Sequence, residues 1–236
     1  MKLIYNIMGC TAMCIAPVTA KSHKLLLGTE PSYVQYLNNS ESIANGDNLG
    51  GISAQGFLTY IVDLKNKLRF LAGLTGGYEF GSLNFIVDGT EANTKFFANT
   101  IGVTSRIQYS LHRKSSFYAS TGYKVLLSGE LSSKLDNTET HTKIETSRRL
   151  ESYNTLFLDL GFSHKVTENT QASFFTKYSS HSLVAEKVDY KDLIEDDELN
   201  LGAISFGISL AYEFSLFTRK KPKSRRRRKS SLASRP

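Results

Sequence analysis

Cysteine is almost missing from this chain. Of 236 residues only Cys10 and Cys14 are cysteines, and both sit in the first segment. The remainder therefore has neither a disulfide framework nor a cysteine-ligated zinc site. A helical period is missing as well. Beyond residue 20 no stretch sustains apolar residues at the 3.6-residue spacing of an amphipathic helix. There is no glycine-rich phosphate loop, because the glycines fall at strand spacing. His112, His141 and His164 stand alone, which argues against a metal site. The acidic run Glu195, Asp196, Asp197, Glu198 lacks the alternating spacing and glycine turn of a calcium loop and reads as a solvated loop. No cofactor is expected.

Acid is absent from the C-terminal end. Residues 215–236 hold ten Lys/Arg and no Asp/Glu. The whole chain carries a net charge of +7, so removing these ten leaves −3 on residues 1–214. The basic balance belongs to the tail. Its core, Arg225, Arg226, Arg227, Arg228 and Lys229, is a like-charge block that repels itself and is expected to be disordered. The N-terminal end is different again: Met1-Lys2, then no charge through residues 3–20, with Val18 and Ala20 as small residues at its close. That pattern predicts a secretory signal peptide over 1–20. The expected division is signal peptide 1–20, main domain 21–214 and basic tail 215–236.

What the main domain has is alternation. In 203–214, Ile204, Phe206, Ile208, Leu210, Tyr212 and Phe214 share one face, while Ser205, Gly207, Ser209, Ala211 and Glu213 share the other. Successive side chains of a strand point to opposite faces, so this is a strand with one apolar side. Its length suits a tilted membrane-crossing strand, which needs about 9–11 residues. Similar runs occur at 25–37 (interrupted by Pro31), 50–64, 68–85, 95–111, 116–131, 152–165 and 170–184. Connections alternate long and short along the chain, with expected loops at 38–48, 86–94, 132–151 and 185–198. Bacterial outer-membrane barrels have an even strand number, short turns at one end and long loops at the other. The expected fold is therefore all-β, an eight-stranded antiparallel up-and-down transmembrane β-barrel.

The last strand resembles the C-terminal assembly signal of bacterial outer-membrane β-barrels. Tyr212 and Phe214 match its terminal aromatic and the aromatic two residues before it, with Phe206, Ile208 and Leu210 continuing the apolar face. The family's signal usually ends the chain, whereas 22 residues follow Phe214 here. The main domain as a whole resembles the outer-membrane-protein-A-like transmembrane domain and opacity-type surface antigens. That resemblance implies outer-membrane localisation with both termini periplasmic. It implies contact with outer-membrane lipids, lipopolysaccharide and the barrel assembly machinery, and surface loops that serve adhesion, antigenic contact or envelope integrity rather than catalysis.

With the apolar face toward lipid, the other face lines a lumen. It carries Lys177 as well as Lys124, Arg106 and Arg69, and these last three are expected to pair with Asp159, Glu79 and Glu213, because buried charges persist only when partnered. Glycines on this face are expected to leave room for them. A packed lumen excludes a wide pore and leaves a narrow porin-like channel as one alternative. A soluble lipocalin-like binder, with the apolar face inside, is another. A third is a lipid-modifying enzyme: Ser179, Ser180, His181 and Ser182, with Glu195 beyond, faintly resemble the His-x-Ser plus Glu site of outer-membrane lipid A deacylases. Ser182 directly follows His181 instead of lying two away, and the plain reading of His181 is a solvated loop histidine. The basic tail is expected to lie on anionic lipid or cell wall, with nucleic-acid binding and nuclear targeting as its other readings.

Overall fold

The computed structural model describes residues 23–37, 50–65, 67–87, 90–137, 142–185 and 198–217. The expected signal segment, nearly all of the basic tail, Glu195–Asp197 and most of the loops expected at 38–48 and 185–198 lie outside them.

Eight strands follow one another: β1 His23–Leu37, β2 Gly50–Lys65, β3 Leu68–Val87, β4 Thr90–Ser110, β5 Ser115–Asn137, β6 Thr142–Lys165, β7 Thr170–Ala185 and β8 Glu198–Phe217. Each pairs antiparallel with its sequence neighbour, and β8 pairs with β1, so the sheet closes on itself. The stagger of closure can be walked. From Leu27 the register leads to Leu58, Leu74, Val103, Tyr123, Leu156, Ser180, Gly202 and back to β1 at Leu37. The return is displaced by ten residues, 37 less 27. Strands in such a staggered barrel tilt by about 35–45° to the axis.

Pro31 does not end the first strand. It pairs with Ala54 on the β2 side, while on the β8 side the ladder skips Glu30 and Pro31 and resumes at Ser32 with its register unchanged. A proline removes one N–H, and here the ladder tolerates that as a local gap.

Two of the four expected long loops are strand. β3 and β4 stay paired up to Val87 and Thr90, and β5 and β6 up to Asn137 and Thr142. The segments 86–94 and 132–151 were expected as loops because their polar residues mask the apolar alternation. The backbone ladder continues into both segments without that alternation. For the same reason β8 begins at Glu198 and runs on to Phe217, past the expected limits of 203 and 214.

A bulge in β5 changes which side chains face inward. Asn99 pairs with Ser128 but Thr100 pairs with Leu126, so Leu127 is an extra residue. Below it the even residues point inward; above it the odd ones do. Glu130, assigned by simple parity to the same face as Lys124, instead lies exposed opposite Phe97, and Leu131 turns inward. One inserted residue flips every side chain after it.

Candidate functional site: a polar lumen within an apolar wall

Along each strand, inward residues are buried and outward ones exposed. The exposed set is the apolar one: Leu27, Leu58, Leu74, Val103, Leu156 and Ile208 are all solvent-accessible, and Phe174 is 69% exposed. Aromatic side chains border this wall at both ends. At the turn end, Tyr109, Phe117, Phe162 and Phe174 are successive cross-strand partners over β4 to β7, with Phe117 and Phe162 rings 5.3 Å apart. At the other end, Phe206, Tyr33, Ile52, Phe80 and Phe97 form a matching row across β8, β1, β2, β3 and β4. On β4 the rows are separated by twelve residues, 109 less 97. At about 3.3 Å per residue and the tilt above, that is roughly 30 Å, the thickness of a bilayer's hydrocarbon core. The expected assembly-signal residues Phe206, Ile208, Leu210, Tyr212 and Phe214 all lie on this outer face. This distribution is the inverse of a soluble ligand-binding barrel and removes the lipocalin-like alternative.

The lumen is filled by side chains. At its centre are three carboxylates, Glu30, Glu79 and Asp159, and three cations, Arg106, Lys124 and Lys177, all buried. Arg106 Nη2 donates to Glu30 Oε1 at 2.9 Å and lies 3.8 Å from Asp159 Oδ2. Lys177 Nζ stands 3.7 Å from the other oxygen of Glu30. Ser120 Oγ donates to Asp159 at 2.8 Å. Lys124, 2% exposed, places Nζ 3.8 Å from Glu79 Oε2. Tyr36 OH donates to Glu79 Oε1 at 2.8 Å.

Aromatic faces complete the shells of these cations. The Arg106 guanidinium carbon lies 4.0 Å from the Tyr118 ring centre and 5.4 Å from that of Phe57. Lys177 Nζ is 5.0 Å from both the Phe157 and Phe175 rings. A cation over a ring face gains from the ring's quadrupole, more so where water is excluded. Glycines make room for the rings. A Cβ added to Gly161 would come within 2.4 Å of the Tyr118 ring, and one added to Gly122 within 2.5 Å of Phe157.

A third ionic group sits at the turn end. Arg69 Nη1 donates to Glu213 Oε2 at 3.1 Å, its Nε is 2.9 Å from Asp63 Oδ1, and Lys24 also pairs with Glu213. The six charged residues singled out in the sequence thus group as Arg69 with Glu213, Arg106 with Asp159 and Lys124 with Glu79. Sequence reasoning missed Glu30, the partner of both Arg106 and Lys177. Pro31 follows it directly, and that interruption of the sequence pattern hid the alternation that would have placed Glu30 inside. It also missed apolar packing within the lumen. Leu26, Phe57, Ile61, Leu71 and Ala211 cluster on the turn side of the central charges. Val34, Tyr36, Phe96, Leu150, Tyr153 and Leu183 belong to a second cluster on the far side.

His181 is not a solvated loop histidine. It is 2% exposed, inside the lumen. Tyr153 OH lies 2.6 Å and Thr155 Oγ1 3.1 Å from its Nδ1. Ser179 Oγ lies 2.8 Å and Glu79 Oε1 3.8 Å from its Nε2. The carboxylate and the serine thus approach the same ring nitrogen, whereas a catalytic base needs the orienting carboxylate on the opposite one. Ser179 is itself buried, and Ser182 lies on the opposite face of the strand from His181. This group is a packed hydrogen-bond network.

A closed eight-stranded antiparallel barrel with a polar, ion-paired inside and an apolar, aromatic-bordered outside is an outer-membrane-type β-barrel. No family model matches the sequence, and no curated protein matches it. Solved structures do. Neisserial surface protein A is similar at 13% identity, over 80% of this chain and 97% of its own, with a TM-score of 0.45. The outer membrane protein OprG from Pseudomonas aeruginosa is similar at 11% identity, over 83% and 97%, with a TM-score of 0.44. The attachment invasion locus protein Ail of Yersinia pestis is similar at 16% identity, over 82% and 99%, with a TM-score of 0.34.

Proposed function

We propose that the protein is an integral, non-enzymatic β-barrel of a bacterial outer membrane that presents two paired-strand arms outside the cell as a contact surface. The observation that supports this reading best is the exposed apolar wall, roughly 30 Å tall between two aromatic rows, around an interior of paired charges. In water such a wall would expose far more contiguous apolar surface than a soluble protein carries. In lipid it is matched, and closure leaves no unpaired strand edge within the span.

The orientation follows the turns. The short connections at 66–67, 111–114 and 166–169 share one end with His23 and Phe217, and outer-membrane barrels keep short turns in the periplasm. The arms are then external. On β5 the strand continues seven residues beyond Glu130, the partner of Phe97, to Asn137. That is about 15–20 Å above the aromatic row. On the β5–β6 arm Ser132, Lys134, Glu145, Ser147 and Arg149 are exposed, a surface suited to polar contact with a host or a neighbouring cell component. For the basic tail, which follows Phe217 in the sequence, the proposed contacts are anionic headgroups and cell wall.

The test is sidedness. The only native cysteines are Cys10 and Cys14, so single-cysteine variants are straightforward. Lys134→Cys in the β5 arm is expected to react with a membrane-impermeant maleimide on intact cells. Glu168→Cys in the β6–β7 turn is expected to react only after permeabilisation. The reverse pattern would invert the orientation and remove the display reading.

A further inference from the structure

At the turn end the lumen opens into a cavity of about 370 Å³, within the roughly 300–1,000 Å³ range of ligand pockets. Its lining includes Lys67, Arg69, His112, Arg113, Lys114 and Lys165, and no acidic residue among the described ones. Arg69 is neutralised by Asp63 and Glu213. Lys67, Arg113 and Lys114 have no carboxylate partner among the described residues; Lys67 Nζ only stands 6.0 Å from the Tyr109 ring. These cations are held on a tied frame. Ser110 N donates to Lys67 O and Lys165 N to Lys114 O, each at 2.7 Å, and Leu111 N closes the turn on Ser115 O at 2.9 Å. Gln108 Nε2 meets Ser116 Oγ at 2.5 Å at the cavity's inner wall, and the packed Arg106–Glu30 pair lies beyond.

Lys67, Arg113 and Lys114 are exposed around one cavity, and an anion bound among them would gain from all three positive charges. Arg and Lys together suit phosphate oxygens, through the guanidinium fork and the ammonium point charge. We propose that this turn-end vestibule is a binding site for an anionic phosphate group. The group comes either from a soluble phosphate compound or from the headgroup of an anionic lipid at the membrane surface. The described lining holds no residue of the basic tail, whose contribution is tested separately.

The test uses the full chain, folded in zwitterionic detergent and free of phosphate, with inorganic pyrophosphate titrated calorimetrically at low salt. The variant Arg113→Gln/Lys114→Gln changes two exposed turn residues. A tail variant, Arg225→Gln/Arg226→Gln/Arg227→Gln/Arg228→Gln, keeps chain length. Heat-dependent gel mobility establishes that each is folded, and Lys114→Gln alone serves if the double variant is not. A second arm places each protein in nanodiscs of phosphatidylcholine with or without phosphatidylglycerol and measures phosphatidylglycerol enrichment. Saturable pyrophosphate binding that weakens about tenfold or more in the turn variant, but persists in the tail variant, supports the site with a soluble ligand. Loss of phosphatidylglycerol enrichment in the turn variant, without pyrophosphate binding by the parent, supports it with a headgroup ligand. A turn variant that equals the parent in both arms overturns the proposal, and so does phosphate binding that disappears only with the tail arginines.

Discussion

Lys124 shows what single residues contribute. Its ammonium is buried beside Glu79, with Lys177 and Arg106 as the other central cations. Removing one partner of a buried pair strands the other, at a cost of about 3–5 kcal/mol. Lys124→Met is accordingly expected to lower the unfolding free energy by about that much in urea titrations of the refolded protein. Adding Glu79→Gln is expected to restore part of it, because the stranded charge is gone; a loss in the double variant equal to the sum of two single losses would argue against a coupled pair. The glycines contribute by what they lack. Gly161→Val would drive a branched side chain into Tyr118, which in turn covers Arg106. A destabilisation of about 1–3 kcal/mol is expected, measured by the temperature at which the folded band disappears from gels; no change would mean that the ring has room to move. These residues differ in how legible they were. Six of the lumen charges stand out because a charge breaks an otherwise small and polar face. Glu30 did not, hidden beside a proline, and His181, which alternation places on the lumen face with Ser179 and Lys177, was read as a loop histidine because of the serine-rich run around it.

At the scale of the element, alternation carries the strands only where one face is greasy. Between the aromatic rows that condition holds, and the sequence shows every strand there. Beyond them polar and charged residues interrupt the alternation, so most of the arms of β3 to β6 read as loops although their ladders continue. The β5 bulge was invisible for a related reason. Leu126 and Leu127 are both apolar, and either can occupy the outer face without penalty, so nothing in the letters marks where parity changes. Cysteine scanning reads it directly. From Phe117 to Leu127 the odd positions of β5 are expected to contact lipid. Above the bulge Glu130→Cys is expected to react with a water-soluble maleimide and Leu131→Cys to be protected. Protection at 130 with reaction at 131 would mean that parity runs through unbroken.

At the scale of the molecule, the lumen is layered. An ionic group at the turn end, an apolar cluster, the central charges and a second apolar cluster follow one another along the axis. Apolar layers on both sides of the charges exclude water from them and block a continuous hydrated path, so single-channel recordings in planar bilayers are expected to show no stable conductance step. The fold was readable because it repeats one rule eight times and closes. The vestibule at 67–69, 108–116 and 165 was not, since its cations come from separate turns and strand ends that the pairing of β3 to β6 brings together.

The claim on which the rest depends is that the apolar face of a closed barrel is its outer surface. Electrophoretic mobility of the detergent-extracted protein, unboiled against boiled, tests it most directly. A closed membrane barrel keeps its ladder in dodecyl sulfate until heated, so the unboiled sample is expected to migrate faster, with the shift abolished by boiling. A protein that is recovered in the aqueous fraction and shows one mobility under both conditions would contradict the account.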